Sequence, residues 1–343
     1  MTDQKRLAMH FENIESTNNI RCLLCSHRCV IAPGKTGFCK SRINEDATLY
    51  SLNYALASTV NIDPIEKKPL YHFMPSSNIL SIGTNYCNFC CKFCQNYEIS
   101  QSKTQRIKIT AEKLLDIIKN EPNCCGIAYT YNEPTIWYEF VYDSAAHIKN
   151  NGYKTVLVTN GDISEQAFSQ LFPLIDAMNI DIKAFDKNFY SKICSGSLES
   201  VLKTVKKAYE SGISIEITNL LIPSLNDSEK MINELVNFIV EISPEIPLHF
   251  SRYHPAYLMN IPATPVETLE KAYHIATQSL KYVYLGNIND SRTNSTYCPK
   301  CHELLIERHY FTSKITGISE GAVCKKCGEK IYGVFSMSNR LTN

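Results

Sequence analysis

The sequence predicts an α/β protein, a partial or full TIM-like (β/α) barrel with cysteine-rich extensions at both ends. Two observations carry this. From residue 78 onward, seven short apolar runs alternate with amphipathic stretches whose apolar residues recur every three or four positions, the signature of βα units and a parallel sheet. No G-x-G-x-x-G turn follows any of them, which favours a barrel over a dinucleotide-binding sheet. A third observation bears on the extensions: twelve of the 15 cysteines fall into three sets of four.

The elements follow in order. Residues 1–62 form an N-terminal lobe with Cys22, Cys25, Cys29 and Cys39 spaced C-x2-C-x3-C-x9-C. Its first residues, MTDQKRLAMHFENIES, lack the apolar core of a signal peptide, and no 18-residue uncharged apolar span occurs anywhere, so a cytoplasmic protein without membrane association is expected. The cytosol keeps thiols reduced, so metal or cluster ligation explains the cysteines better than a disulfide framework. The core, 63–290, places strands at 78–84, 126–130, 154–160, 177–183, 214–222, 247–253 and 282–288. Between them lie helical patterns such as AEKLLDIIKN, SLESVLKTVKKAYE, DSEKMINELVNFIVEI and PVETLEKAYHIATQSL. Ser197 and Asp227 are placed to cap two of these helices. The tail, 291–343, carries Cys298-x2-Cys301 and Cys324-x2-Cys327 separated by 22 residues, a spacing slightly longer than usual for a zinc ribbon. The isolated Cys124, Cys125 and Cys194 read as small buried hydrophobes. A formal charge of +1 supplies no general field for nucleic acid.

The stretch CNFCCKFCQN, residues 87–96, holds four cysteines directly after the first core strand, where barrels of this kind build their active sites. Four thiolates on one ion would make a structural zinc site, but adjacent Cys90 and Cys91 tend to diverge. The spacing C-x3-C-x2-C is met only by Cys87, Cys91 and Cys94, since from Cys90 the third position falls on Tyr97. Three ligands leave one metal position open for chemistry.

This motif after the first strand of a βα barrel resembles that of radical S-adenosylmethionine (SAM) enzymes. The resemblance implies a [4Fe-4S] cluster on Cys87, Cys91 and Cys94, whose open iron is chelated by the amino and carboxylate groups of SAM, with Phe93 near the adenine. Asn132 and Glu133, in TYNEPT after the second strand, are then expected to receive the SAM ammonium group; read alone they are equally an exposed turn before Pro134. Asn160, followed by Gly161, ends the third strand. Asp181 and Lys183 share one strand face, inward in the barrel mouth or outward as surface charges. His254, in FSRYHP, lies on the same rim, where a lone histidine is more often structural, and His249 is a weaker candidate. Asp181, Lys183 and His254 resemble the D-x-K motif and histidine of glycyl-radical activating enzymes such as the pyruvate formate-lyase activator.

The phrases DPIEKKPLYHF, SIGTNYCNFCCKFCQNYEIS, AYTYNEPTIWYEF and HFSRYHPAY, with the cysteine-bearing ends, resemble AmmeMemoRadiSam-system radical SAM enzymes over nearly the whole chain. Cys90 and Tyr97 depart from that pattern. The resemblance implies a one-electron donor, flavodoxin or ferredoxin, reductive cleavage of SAM to a 5′-deoxyadenosyl radical, and hydrogen abstraction from an unidentified substrate, a partner protein as in pyruvate formate-lyase activation being one option. AMMECR-type and Memo-type proteins are the implied partners. Zinc is favoured at the C-terminal set. At the N-terminal set, where His27 is a further candidate ligand, zinc and an auxiliary cluster both stay open. The rival class is a zinc-stapled binding module for RNA or a protein partner, with the barrel as scaffold.

Overall fold

The computed structural model describes residues 5–335; the first four and last eight residues, assigned above to the lobe and the tail, lie outside the described residues. The core is one eight-stranded sheet: β1 (Thr59–Pro64), β2 (Asn78–Gly83), β3 (Cys124–Tyr129), β4 (Lys154–Thr159), β5 (Ala177–Asp181), β6 (Ser214–Leu221), β7 (Leu248–Arg252) and β8 (Val283–Gly286), hydrogen-bonded in that order. Strands β2 to β8 run parallel, and β1 pairs antiparallel with β2, from Thr59 opposite Gly83 to Pro64 opposite Asn78. All seven expected strands form, within two residues of their expected ends. β1 was not anticipated, and it straddles the 62/63 boundary drawn from the sequence.

Six helices cross over between successive parallel strands: α1 (Ala111–Asn120), α2 (Tyr138–Asn150), α3 (Glu165–Leu171), α4 (Leu198–Glu210), α5 (Glu229–Ile242) and α6 (Val266–Ala276). They cover the sheet, which is why every residue of β3 is buried. The periodicity explains their seating: α1 buries Leu114, Leu115 and Ile118, and α4 buries Val201, Val205 and Ala208. Ser197 caps α4 as expected, its side chain accepting from Ser200 N. Asp227 does not cap α5. Ser228 takes that place, accepting from Met231 N, while Asp227 accepts from Ser224 N at 2.8 Å and closes the preceding turn.

Among the described residues no pairing joins β8 to β1, so the sheet is open, the partial rather than the full arrangement. Two small antiparallel sheets form the N-terminal lobe, Arg6–Leu7 with Thr48–Ser51 and Arg42–Glu45, and Phe11–Asn13 with Ile20–Cys22 and Val30–Ile31. The lobe is tied to α2 by the buried Arg42–Glu139 ion pair, at 2.9 Å.

The tail docks at the end of the sheet where strands begin. Tyr332 O faces His72 Nδ1 at 2.6 Å, Tyr332 Oη accepts from Ile215 N at the start of β6, and Arg308 Nη2 donates to Tyr71 O at 2.6 Å. Tyr71, Tyr282, Tyr284, Leu305, Ile306 and Ile331 form the apolar contact. No helix among the described residues is long and apolar enough to cross a membrane.

Candidate active site and cysteine centres

At the opposite end of the sheet, where β2 to β8 finish, the following loops enclose a cavity of about 300 Å³ lined by Cys87, Cys91, Cys94, Phe93, Asn132, Glu133, Asn160, Asp181 and Lys183. Cys90 does not line it. The loop that carries the cysteines is fixed on three sides. Tyr86 N donates to Ile99 O at 2.7 Å, and Cys90 N and Lys92 N donate to Cys194 O and Ile193 O. The Asn132 side chain bridges the loop's base, donating to Tyr86 O at 2.6 Å and accepting from Thr84 N. Tyr86 takes a positive φ of 78°, the bend that turns the chain from β2 into the loop.

The sulfurs have distinct surroundings. Cys87 Sγ accepts from Phe89 N at 3.3 Å and faces Asn160 Nδ2 at 3.8 Å. Burial, followed by the Glu133 carboxylate, pushes its thiol well up, so binding it as a thiolate needs metal charge close by. Cys94 Sγ meets Ser100 Oγ at 3.1 Å. A hydrogen bond from the Cys194 thiol, helped by Lys183, holds Cys91 below its ordinary value despite burial. Cys194 is buried, as expected of a small hydrophobe, and its backbone carbonyl receives Cys90 N at 2.9 Å. Nothing local marks it; it reaches the site through the one-turn π-helix Tyr190–Cys194.

Glu133 is 1% exposed. Its Oε1 accepts from Thr135 N and Thr159 Oγ1, and its Oε2 from Asn160 N, at 2.8–2.9 Å. A carboxylate offers about four lone-pair sites, so one remains on Oε2. Asn160 is held in turn by Asn88 Oδ1 at 2.9 Å and by Asp162 N, which donates to its Oδ1. Gly161, with φ 74°, is needed where it stands, because a Cβ would lie 3.0 Å from Ile180. Asp181 and Lys183 face inward and pair at 2.7 Å; although burial lowers it, the Asp181 carboxylate and Cys91 hold Lys183 up, hence protonated. Phe93 packs against Phe189 with ring centres 5.9 Å apart. His254 follows β7 but is exposed and is not brought to the cavity wall. His249 lies buried, bonded through Nε2 to Glu216 at 2.6 Å, within the network beneath the tail. Thr218, Ser251 and Asn287 also line the cavity; single polar residues at strand ends carry no pattern that a sequence reveals.

The outer sets differ. Cys298, Cys301, Cys324 and Cys327 bring their sulfurs within 4.8 Å of one another, the only group of three or more metal-ligating residues so close among those described. Cys22, Cys25, Cys29 and Cys39 instead surround a small enclosed cavity with His27, Arg42 and Asn88. A larger groove of about 620 Å³, between Cys25–Arg28 and α4, is lined by surface charges of both signs.

Residues 81–239 match the radical SAM superfamily, and the chain carries that superfamily's domain, which uses a [4Fe-4S] cluster and SAM. Over 333 residues, 95% of this chain and 98% of the other, it is 44% identical to "Uncharacterized protein MJ0808" of Methanocaldococcus jannaschii; it belongs to the same family as that protein. The pyruvate formate-lyase-activating enzyme of Clostridium pasteurianum is 24% identical over 173 residues, covering 49% of this chain and 72% of that one. Streptococcus suis SuiB bound to S-adenosylmethionine shares the fold, with a TM-score of 0.50 and 16% identity over 65% of this chain and 53% of that one. The donor set suits the superfamily's cofactors: three thiols from one loop, a buried carboxylate with one acceptor site left and a protonated lysine share one cavity.

Proposed function

We propose that Cys87, Cys91 and Cys94 hold the [4Fe-4S] cluster, that SAM occupies the rest of the cavity, and that the protein is a glycyl-radical-activating-enzyme-like oxidoreductase. The observation that carries this is the shared cavity itself: the three spaced cysteines, Glu133, Asn160, Asp181 and Lys183 converge there from four successive strand ends. When bound, the cluster supplies the electron that cleaves SAM to methionine and a 5′-deoxyadenosyl radical able to take a hydrogen atom from substrate. The protein's own residues bind and orient. The free site on Glu133 Oε2 accepts from the SAM ammonium group, Lys183 attracts its carboxylate, and Phe93 offers an apolar face to the adenine. Asn132 acts at one remove, by fixing the cysteine loop. His254 has no part in this cavity.

Reducing power comes from flavodoxin or ferredoxin. The substrate is a partner protein, with AMMECR-type and Memo-type proteins the first to assay, and the setting is the cytoplasm. Cys298, Cys301, Cys324 and Cys327 hold a structural zinc, since a tetrahedral ion with Zn–S bonds of about 2.3 Å sets its sulfurs about 3.8 Å apart. Two of these contacts measure 3.5 and 3.7 Å. A staple at the end of the sheet away from the cavity is structural, so the binding-module reading applies to the tail at most. The division into a lobe, a core from about residue 63 and a tail from about 291 goes with this assignment of roles.

Anaerobic reconstitution tests the proposal. The protein is expected to bind iron and sulfide and, once reduced, to form 5′-deoxyadenosine from SAM. Cys90→Ala should retain both properties, whereas Cys91→Ala should lose SAM cleavage by at least about 100-fold, in line with loss of a metal ligand or its support. Equal damage from the two substitutions defeats the ligand assignment.

A further inference from the structure

The N-terminal cysteines are arranged unlike the C-terminal ones. No three of Cys22, Cys25, Cys29 and Cys39 bring their sulfurs within 4.8 Å of one another, and neither do Cys87, Cys91 and Cys94. A cluster of several irons spreads its ligand sulfurs wider than a single ion does. Yet the four are not scattered, for all of them line one enclosed cavity. Like Cys87, Cys91 and Cys94, they lack the close four-sulfur grouping of the tail.

An orphaned group points into the same place. Arg42, on the wall of this cavity, is 1% exposed. Its Nη2 donates to both oxygens of Glu139 at 2.9 Å, while Nε and Nη1 have no hydrogen-bond partner. Unpaired buried donors are costly. Thiolates and bridging sulfides are the acceptors such donors lack, and hydrogen bonds of this kind set cluster potentials.

The lobe also abuts the catalytic loop. His27, between Cys25 and Cys29, bonds through Nε2 to Asn88 O at 2.7 Å, and Asn88 follows Cys87. Ser26 donates from N and Oγ to the Asp162 carboxylate at 3.1 and 2.7 Å, two residues from Asn160, which faces Cys87. One hydrogen bond therefore separates the two cysteine segments. Outside, residues 26–42, SHRCVIAPGKTGFCKSR, contain no Asp or Glu, and Arg28, Lys35 and Lys40 are exposed. A segment whose exposed charges are all positive suits an acidic partner.

We propose that Cys22, Cys25, Cys29 and Cys39 hold a second iron–sulfur cluster that takes one electron from a small acidic electron-carrier protein and passes it to the Cys87–Cys91–Cys94 centre. The carrier is oxidised by one electron, the catalytic cluster is reduced by one, and the second cluster returns to its initial state without bond or proton change. The relay rests on the function proposed above; the second cluster itself does not.

The test uses the full chain, reconstituted anaerobically, with Cys87, Cys91 and Cys94 all replaced by alanine. This variant should keep iron and sulfide, and reduced flavodoxin should bleach it by one electron per chain. Adding Cys29→Ser should remove that iron. In the reduced wild type the two paramagnetic centres should broaden each other's EPR signals, and the triple variant should give a single sharp one. Iron- and zinc-edge anomalous diffraction from wild-type crystals reads the metal at each set even if a variant fails to fold. Zinc at the N-terminal set, an iron-free triple variant, or iron there that flavodoxin does not reduce overturns the proposal. A response of the wild-type signal to SAM reports the catalytic centre separately, so losing that response while the N-terminal iron persists sinks the other reading and leaves the second cluster standing.

Discussion

Two buried residues show how chemistry at single positions is set by partners distant in sequence. His72 Nδ1 faces the carbonyl of Tyr332, which can only accept, so the ring proton sits on Nδ1 and Nε2 receives the Tyr284 hydroxyl at 2.6 Å. Burial lowers the His72 pKa from 6.5 to about 4. In the unfolded chain His72 takes up a proton as pH falls through 6.5; in the native protein it does so only near 4. Stability is therefore full above pH 6.5 and falls between there and pH 4, by about 3 kcal/mol over that window. Denaturation midpoints measured across it should slope accordingly, and His72→Asn should flatten the slope. Arg42 presents the opposite case, a charge kept by its partner. Arg42→Met strips the buried Glu139 carboxylate of its ion-pair partner and leaves it only the Met9 N donor, at an expected cost of about 3–5 kcal/mol, visible as a large drop in the denaturant midpoint. Glu133 and Asp181 were legible because they follow strands in a chain already read as βα units. Cys194 and Arg42 were not, because their significance lies in which distant residue each one touches.

At the level of elements, the parallel strands and crossover helices were legible because their periodicities are unambiguous: β3 is apolar throughout and α1 repeats every three to four residues. β1 was missed because TVNIDP mixes polar residues into an edge strand and ends in proline, which only an edge accepts. The short strands of the lobe and tail, several of only two residues, lie below any pattern. The cysteine loop depends on a close approach no motif reveals: a Cβ on Gly196 would lie 2.2 Å from the Phe89 ring. Gly196→Ala should therefore displace Phe89 and cost about 1–3 kcal/mol by overpacking, with iron content after reconstitution falling as the loop shifts. For the tail, chelating the zinc proposed at Cys298, Cys301, Cys324 and Cys327 should speed proteolytic cleavage between residues 296 and 330 while leaving protection of β3 and β4 against hydrogen exchange intact.

Across the whole molecule, sequential strand order could be expected from short right-handed crossovers, whereas openness of the sheet could not, since closure depends on how the first and last strands meet. The chain places its two unlike jobs at opposite ends of the sheet, chemistry where strands finish and anchorage where they start. The anchorage has a consequence for how the protein is made. Contacts such as Arg308 with Tyr71 and Tyr332 with His72 span 237 and 260 residues, and synthesis delivers about 5–20 residues per second. Cys87, Cys91, Cys94 and the N-terminal cysteines thus leave the ribosome many seconds before the segment that covers the floor of the sheet exists. Until residues 296–335 arrive, the floor of the sheet stands open, and Tyr71 and His72 wait for the partners that cover them.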